Sequence, residues 1–495
     1  VLIIGQLFII KNHYFCVADT MIFDRMESIM NVIINILKDK SFLSKTFMIA
    51  IPIALQNLLN NILNTVDTLM IGRLGEASVA AVGLANKVFF VFILLMFGIS
   101  SGSSVLASQY YGRHELLNIK RVLRITLLVG ISASFLFVIP AILCPEYVMR
   151  IFTPDADAIK IGAEYLRVIA ISYPLTAFSM GYTVILRSMN FVRYPVLITL
   201  ISICVNIVLN YGFIFGKLGM PELGVAGAAL ATLIARVVEA CLILIIVRLQ
   251  KTGDNGVGDF VHLKIEKAKD KASAFLHPEF IKKYIYTAAP VIANEFMWGL
   301  GITMYSLVYG RMGNTATAAI TINGNVENLS LVLFFGLCNA AAVVLGNEMG
   351  ADELKKAEEH AKSYMVLLFV LTLVGAALTY TLKEPIIQWF KMPDSVNEYI
   401  RLCLTVFVLS MPVRMLNCII IIAILRSGGD TRAALFIDVS SVWLIGIPMA
   451  VLGGIILELP IYLVYAMISL EEVYKFTLGF IRYKKKKWLK NIAAD

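Results

Sequence analysis

Residues 50–75 read AIPIALQNLLNNILNTVDTLMIGRLG, and the reading of this stretch decides the kind of protein. A helix-length apolar run carries Asn57, Asn60, Asn61, Asn64, Asp67 and Thr68 at steps of three and four, which places them along one helical face. The intervening Leu, Ile and Val side chains suit hydrocarbon, whereas a carboxylate at the bilayer centre costs at least about 2.5–3.5 kcal/mol on insertion scales. The polar stripe therefore faces protein or a water-filled cavity, while the rest of the helix faces lipid. Pro52, near the start, frees backbone groups and allows a bend.

The composition of the whole chain agrees with this stretch. Of 495 residues, 59% are hydrophobic and only 16% charged, too apolar for an ordinary soluble protein. Apolar windows divide it into twelve expected spans, each long enough to cross a hydrocarbon core about 30 Å thick. The first six lie near 47–72, 84–110, 122–145, 163–187, 194–216 and 223–249. The last six lie near 281–310, 322–347, 362–383, 399–425, 433–456 and 459–481. An all-α membrane protein of two six-helix lobes is expected, at 45–249 and 281–483, joined by a polar cytoplasmic connector at 250–280.

Residues 1–44 read as an N-terminal extension outside the native fold, with Met21, Met26 and Met30 as candidate starts. The formal net charge of +9 does not point to nucleic acid. With both termini cytoplasmic, the inner loops collect roughly 28 Lys and Arg and the outer ones roughly 9, as the positive-inside rule requires. The basic tail at 484–495 reads as a stop-transfer segment and an anchor to membrane lipids.

The two halves repeat each other. Pro52 is matched 238 residues later by Pro290, and Gly72, Arg73 and Gly75 by Gly310, Arg311 and Gly313. The same offset relates Phe97, Gly98 and Gly112 to Phe335, Gly336 and Gly350, and Pro174 to Pro412; Arg187 and Arg426 fall at 239. Six spans separate equivalent points, so the halves share one orientation and are related by a pseudo-twofold axis along the membrane normal. A cavity between two such bundles is the geometry of an alternating-access transporter.

Other polar groups within the spans are candidates for function. Ser202, Asn206 and Asn210 repeat every four residues, and Thr232 lies among small residues in GVAGAALAT. With Asp67 they form an oxygen-rich set able to coordinate a hard cation such as Na+, or to hold a proton on a desolvated carboxyl. Interhelical hydrogen bonding alone is the competing reading. In the second half, Glu295 is expected to pair with Arg414, or to attract a flat organic cation that stacks on Trp298. Asp438 reads as a helix-start cap or a functional carboxylate, and Arg236 and Glu239 as a local pair.

Several classes are excluded. There is no G-x-x-x-x-G-K-[ST] loop, so no ATP site is expected, and no TVGYG filter. Seven cysteines lack CxxC spacing, and no cofactor is expected beyond Na+ or H+ as coupling ion. His, Asp and Glu do not cluster at a membrane face, so an enzyme is not expected.

In this setting, AIPIALQNLLNNILNTVDTLMIGRLG, FGISSGSSVLASQYYGR, NIVLNYGFIFGKLGMPELGVAGAALAT and the paired ILRSMNFVRYP and ILRSGGDTRAA carry a resemblance. From about Lys45 to Tyr483 the chain resembles the multidrug and toxic compound extrusion (MATE) transporters of bacteria. That resemblance implies a V-shaped pair of lobes in the cytoplasmic membrane, exporting organic, often cationic, drugs in exchange for Na+ or H+. It implies cation coupling at Asp67, Asn206, Asn210 and Thr232. Substrate contact is expected at Gln56, Asn64, Glu295, Trp298 and Arg414; other branches of the family carry their seventh-span glutamate where Trp298 stands here, and a tenth-span acid that this chain lacks near Arg414. A monomer is expected. Some relatives carry Asp where this chain has Asn210, which leaves proton and sodium both open. The rival reading is a lipid-linked oligosaccharide flippase, a related two-lobe fold with a more cationic central cavity.

Overall fold

The computed structural model describes residues 38–249, 278–390 and 392–494, with positions 34 and 36. Among the described residues no strand occurs, as expected where the lipid core offers the backbone no hydrogen-bond partner. The amino-terminal lobe comprises α1 (Lys40–Gly72), α2 (Glu76–Gly112), α3 (Leu116–Leu143), α4 (Pro145–Arg150), α5 (Ala156–Ile169), α6 (Ser172–Ser188), α7 (Arg193–Phe215) and α8 (Gly224–Leu249). The carboxy-terminal lobe comprises α9 (Pro278–Arg311), α10 (Asn314–Gly350), α11 (Leu354–Phe390), α12 (Asp394–Leu425), α13 (Thr431–Ile456), α14 (Ile461–Ile468) and α15 (Leu470–Lys484).

Among the described residues ten helices are long and apolar enough to cross a membrane, or eleven when α5 and α6 are counted as one span bent by 48°. The expected twelfth span corresponds to α14 and α15, which are broken at Ser469 and carry Glu471, Glu472 and Lys475. The break leaves pieces of 8 and 15 residues, each too short to cross a membrane alone, and the three charges interrupt the apolar run. Helix α1 also starts earlier than expected, at Lys40, because the Asp39 side chain accepts from the Phe42 N–H at 2.9 Å and caps the first turn. The connector at 250–277 lies outside the described residues.

The repeat seen in the sequence has a backbone cause. Gly75 and Gly313, 238 apart, precede α2 and α10 with φ of 108° and 101°, a conformation that glycine takes without penalty. The lobes meet through α1 and α2 packed on α10, and α2 packed on α9. At that meeting α2 and α10 cross as near-symmetric partners. A Cβ on Gly112 would lie 2.0 Å from the Asn347 carbonyl oxygen, and one on Gly350 would lie 2.0 Å from that of Gln109. Glycine here lets two backbones touch, which is how helices associate where lipid removes the hydrophobic drive.

The basic tail is more than a headgroup anchor. Trp488 is fully buried, and its backbone oxygen lies so close to Gly428 that no side chain fits there. Gln109 of α2 donates to the carbonyls of Ser427 (2.7 Å) and Lys490 (3.2 Å) and accepts from the N–H groups of Ile492 (2.8 Å) and Ala493 (3.2 Å). One amide thus ties the amino-terminal lobe to both the α12–α13 turn and the tail. The lobes are closed at this end. At the other end of α1, Asn60, Asn61, Asn64 and Thr68 are exposed, and because polar groups of this kind avoid hydrocarbon, they line an open cleft.

Candidate functional site

Helices α1, α7 and α8 bring the expected coupling residues together. The i, i+4 spacing of Asn206 and Asn210 stacks both amides on the face of α7 that meets α1 and α8. Asn210 Nδ2 donates to Asp67 Oδ1 at 2.6 Å and to Asn206 Oδ1 at 2.9 Å. Asn206 Nδ2 in turn donates to Thr232 Oγ1 at 3.2 Å. Four residues from three helices make one hydrogen-bonded chain ending on a carboxylate. Among the described residues no basic group lies within 4 Å of Asp67, whose direct hydrogen-bond donor is the neutral Asn210 amide; the Arg236 guanidinium acts on it from farther away. Asn210 Oδ1 is buried with no partner among the described residues.

A small cavity adjoins this chain, lined by Asn60, Ser202, Asn206, Thr232, Arg236 and Glu239 among others. Its volume of about 20 Å³ suits a water molecule or a bare cation and excludes a drug. Available ligands for a hard cation are the Asp67 carboxylate, the amide oxygens and the Thr232 hydroxyl, a mostly neutral oxygen set of the kind such ions accept. Among the described residues no group of three His, Cys, Asp or Glu could hold a metal ion. Arg236 and Glu239 form the local pair expected from their spacing, at 2.6 Å.

The remaining expected site residues are dispersed. Gln56 is buried on α1, donates to Thr199 Oγ1 at 2.6 Å and accepts from Arg187. Asn64 is exposed on α1 and its carbonyl accepts from the Thr68 hydroxyl at 2.8 Å. Trp298 is partly exposed on α9. Glu295 does not pair with Arg414. It accepts from Arg426 at 2.8 Å, whose Nη1 also reaches Ser101 Oγ at 3.3 Å. This is the counterpart of Arg187 on Gln56, with the same separation of 131 residues in each lobe.

Arg414 instead meets Glu327 at 2.6 Å and approaches Glu472 at 3.7 Å. Asp438 is no helix-start cap: it lies inside α13, ion-paired to Lys475 at 2.8 Å and hydrogen-bonded by Asn294 at 2.9 Å. Sequence reading missed Glu327, Glu471, Glu472, Lys475 and Tyr305. The signal was available, since LEEVYK at 470–475 interrupts an apolar window and Tyr305 stands 238 residues after Asp67.

Comparison with known proteins matches the MatE family to residues 52–212 and 290–452, two matches that begin on the repeat-equivalent prolines. The chain belongs to the MATE family. It is therefore a multi-pass membrane transporter and not an enzyme. MATE relatives include the "uncharacterized transporter YisQ" of Bacillus subtilis, 25% identical over 91% of this chain and 96% of its own length. Another is the "probable multidrug resistance protein NorM" of Thermotoga maritima, 26% identical over 89% of this chain and 92% of its own. Among solved structures, a MATE protein in a bent conformation superposes with a TM-score of 0.80 at 18% identity, covering 92% of this chain and 97% of the other. The Vibrio cholerae MATE transporter VcmN gives 0.81 at 17% identity, covering 92% and 99%. These likenesses establish the two-lobed, V-shaped MATE fold.

Proposed function

We propose that this MATE protein is a secondary antiporter that exports organic, often cationic, compounds from the cytoplasm in exchange for Na+ or H+. The observation that carries the reading is the chain Asp67–Asn210–Asn206–Thr232, with a carboxylate that has no basic partner among the described residues. A carboxylate in that position changes charge when a proton or sodium ion arrives, and a paired one does not. The end where Gly112, Gly350 and the tail close the lobes also carries Arg113, Lys355, Lys356, Lys484 and Lys485. By the positive-inside rule that end is cytoplasmic, so the cleft opens outward and both termini face the cytoplasm of a bacterial cell.

In the mechanism, an ion enters from outside and neutralises Asp67. The charge-assisted bond from Asn210 then weakens, α1 is freed to bend about Pro52, and the exposed stripe through Asn64 no longer holds the drug. Gln56, Asn64, Glu295, Trp298 and Arg414 are the proposed substrate contacts. The lobes' inward-lying bases are mostly compensated: Arg236, Arg414, Arg426 and Lys475 each have a carboxylate partner. That compensation supports export of cations over the flippase reading, which calls for an anion-attracting cavity.

The test is efflux of a fluorescent organic cation from proteoliposomes, with sodium and pH gradients imposed separately. Flux driven by one gradient in the wild type, and lost in Asp67→Asn, is the expected result. Flux with unchanged ion dependence in Asp67→Asn would sink the proposal.

A further inference from the structure

The carboxy-terminal lobe gathers five acids, Glu295, Glu327, Asp438, Glu471 and Glu472, around three bases. Glu295 is held by Arg426, Glu327 by Arg414, and Asp438 by Lys475. Glu472 accepts from Asn417 at 2.7 Å with Arg414 nearby. Glu471 alone has only a neutral donor, the Tyr305 hydroxyl, at 2.5 Å. Among the described residues no base lies within 4 Å of it.

We propose that Glu471, held by Tyr305, is a second proton-binding site, located in the carboxy-terminal lobe. This rests on the antiport reading for its role in transport, though the site itself is testable without drug. Two observations carry it. The first is a slot made for the pair: a Cβ on Gly446 would fall 1.9 Å from Tyr305 Oη and 2.3 Å from Glu471 Oε2, so only glycine admits both groups. The second is the repeat. Tyr305 stands 238 residues after Asp67, and Glu471 stands 239 after Thr232. The acid and the hydroxyl that the first lobe links through two asparagines recur in the second with their helices exchanged and in direct contact.

The groups that act on Glu471 are Tyr305 and Tyr309 from α9, Arg414 from α12, and Glu472 and Lys475 from its own helix; Lys475 in turn holds Asp438 of α13, and Arg414 holds Glu327 of α10, which also accepts from Tyr465 of α14. With Lys475 committed to Asp438 and Arg414 to Glu327, two negative charges are left over when all five acids ionise. Burying uncompensated charge is costly, and one proton on Glu471 removes half of the excess. Tyr305, a donor and an acceptor, stays bonded to the carboxyl in either state.

The experiment is pH-difference infrared spectroscopy of the purified full chain in liposomes, read at the carbonyl band of protonated carboxyls. Expected is a titrating band that Glu471→Gln removes and Asp67→Asn leaves in place. Tyr305→Phe keeps the acid and shifts the band by removing its hydrogen-bond partner. Glutamine keeps an acceptor for Tyr305, so a similar thermal melting point is expected. Should Glu471→Gln misfold, an unmoved spectrum in Tyr305→Phe overturns the proposal, as does a Glu471→Gln spectrum equal to wild type. Absence of flux under every gradient, with the band intact, defeats the antiport reading alone.

Discussion

The two lobes come from one repeat and have spent their polar residues differently. Around Asp67 the first lobe places two amides and a hydroxyl, and among the described residues no cation within 4 Å. Around Asp438, Glu295 and Glu327 the second places Lys475, Arg426 and Arg414. A lone carboxylate among neutral donors can lose its charge to an ion without leaving another charge stranded. An ion pair cannot, because removing either member leaves its partner buried and uncompensated. The first lobe is built to switch and most of the second to hold still, with Glu471 as the exception.

Substitutions can break or sharpen that contrast. The largest effect is expected at Asp67→Asn, where gradient-driven efflux falls to background while the melting point stays near wild type, because the amide still bonds Asn210. An equal loss of stability would place Asp67 among the structural groups. Next, Arg426→Gln strands Glu295 and is expected to cost about 3–5 kcal/mol, read as a lowered thermal transition in detergent. A change smaller than that of Arg187→Gln would reverse the contrast, since among the described residues the side-chain partner of Arg187 is the neutral Gln56.

Gly112→Ala and Gly350→Ala are each expected to cost about 1–3 kcal/mol through overpacking of backbone against backbone. Near-symmetry predicts similar values for the two, and a wide gap between their melting points would show that one lobe bears the closure. Gln109→Ala removes four hydrogen bonds to the α12–α13 turn and the tail, and is expected to speed proteolysis within 485–494. The smallest effect is expected for Thr232→Val, about 0.6 kcal/mol for one interhelical hydrogen bond, with a shift in apparent ion affinity if Thr232 touches the ion. Unaltered ion affinity would remove Thr232 from the site.

Much of this was legible in the chain itself. The stripe on α1 and the four-residue steps on α7 follow from helical periodicity, which brought out Asp67, Asn206 and Asn210 among other polar residues; the family resemblance narrowed these to the coupling set and joined Thr232 to it. The pairing of Glu295 was read wrongly because Arg414 and Arg426 stand twelve residues apart along one path, and only packing decides which guanidinium meets α9. The charges of α15 were overlooked for a related reason. A segment holding Glu471, Glu472 and Lys475 scores poorly as a span until its partners on α9, α12 and α13 are known.

Sequence by itself determined a helical membrane protein of two like-oriented halves, because hydrocarbon tolerates only backbone groups bonded within their own segment and because the repeated prolines and glycines mark equivalent turns. It also determined which polar residues could not face lipid. The tertiary structure alone decided which acid met which base, which end of the lobes closed, and that the basic tail folds back under Gln109. Those outcomes depend on contacts between residues hundreds of positions apart, where a helix rotation of a few tens of degrees exchanges one partner for another, and no local pattern encodes that rotation.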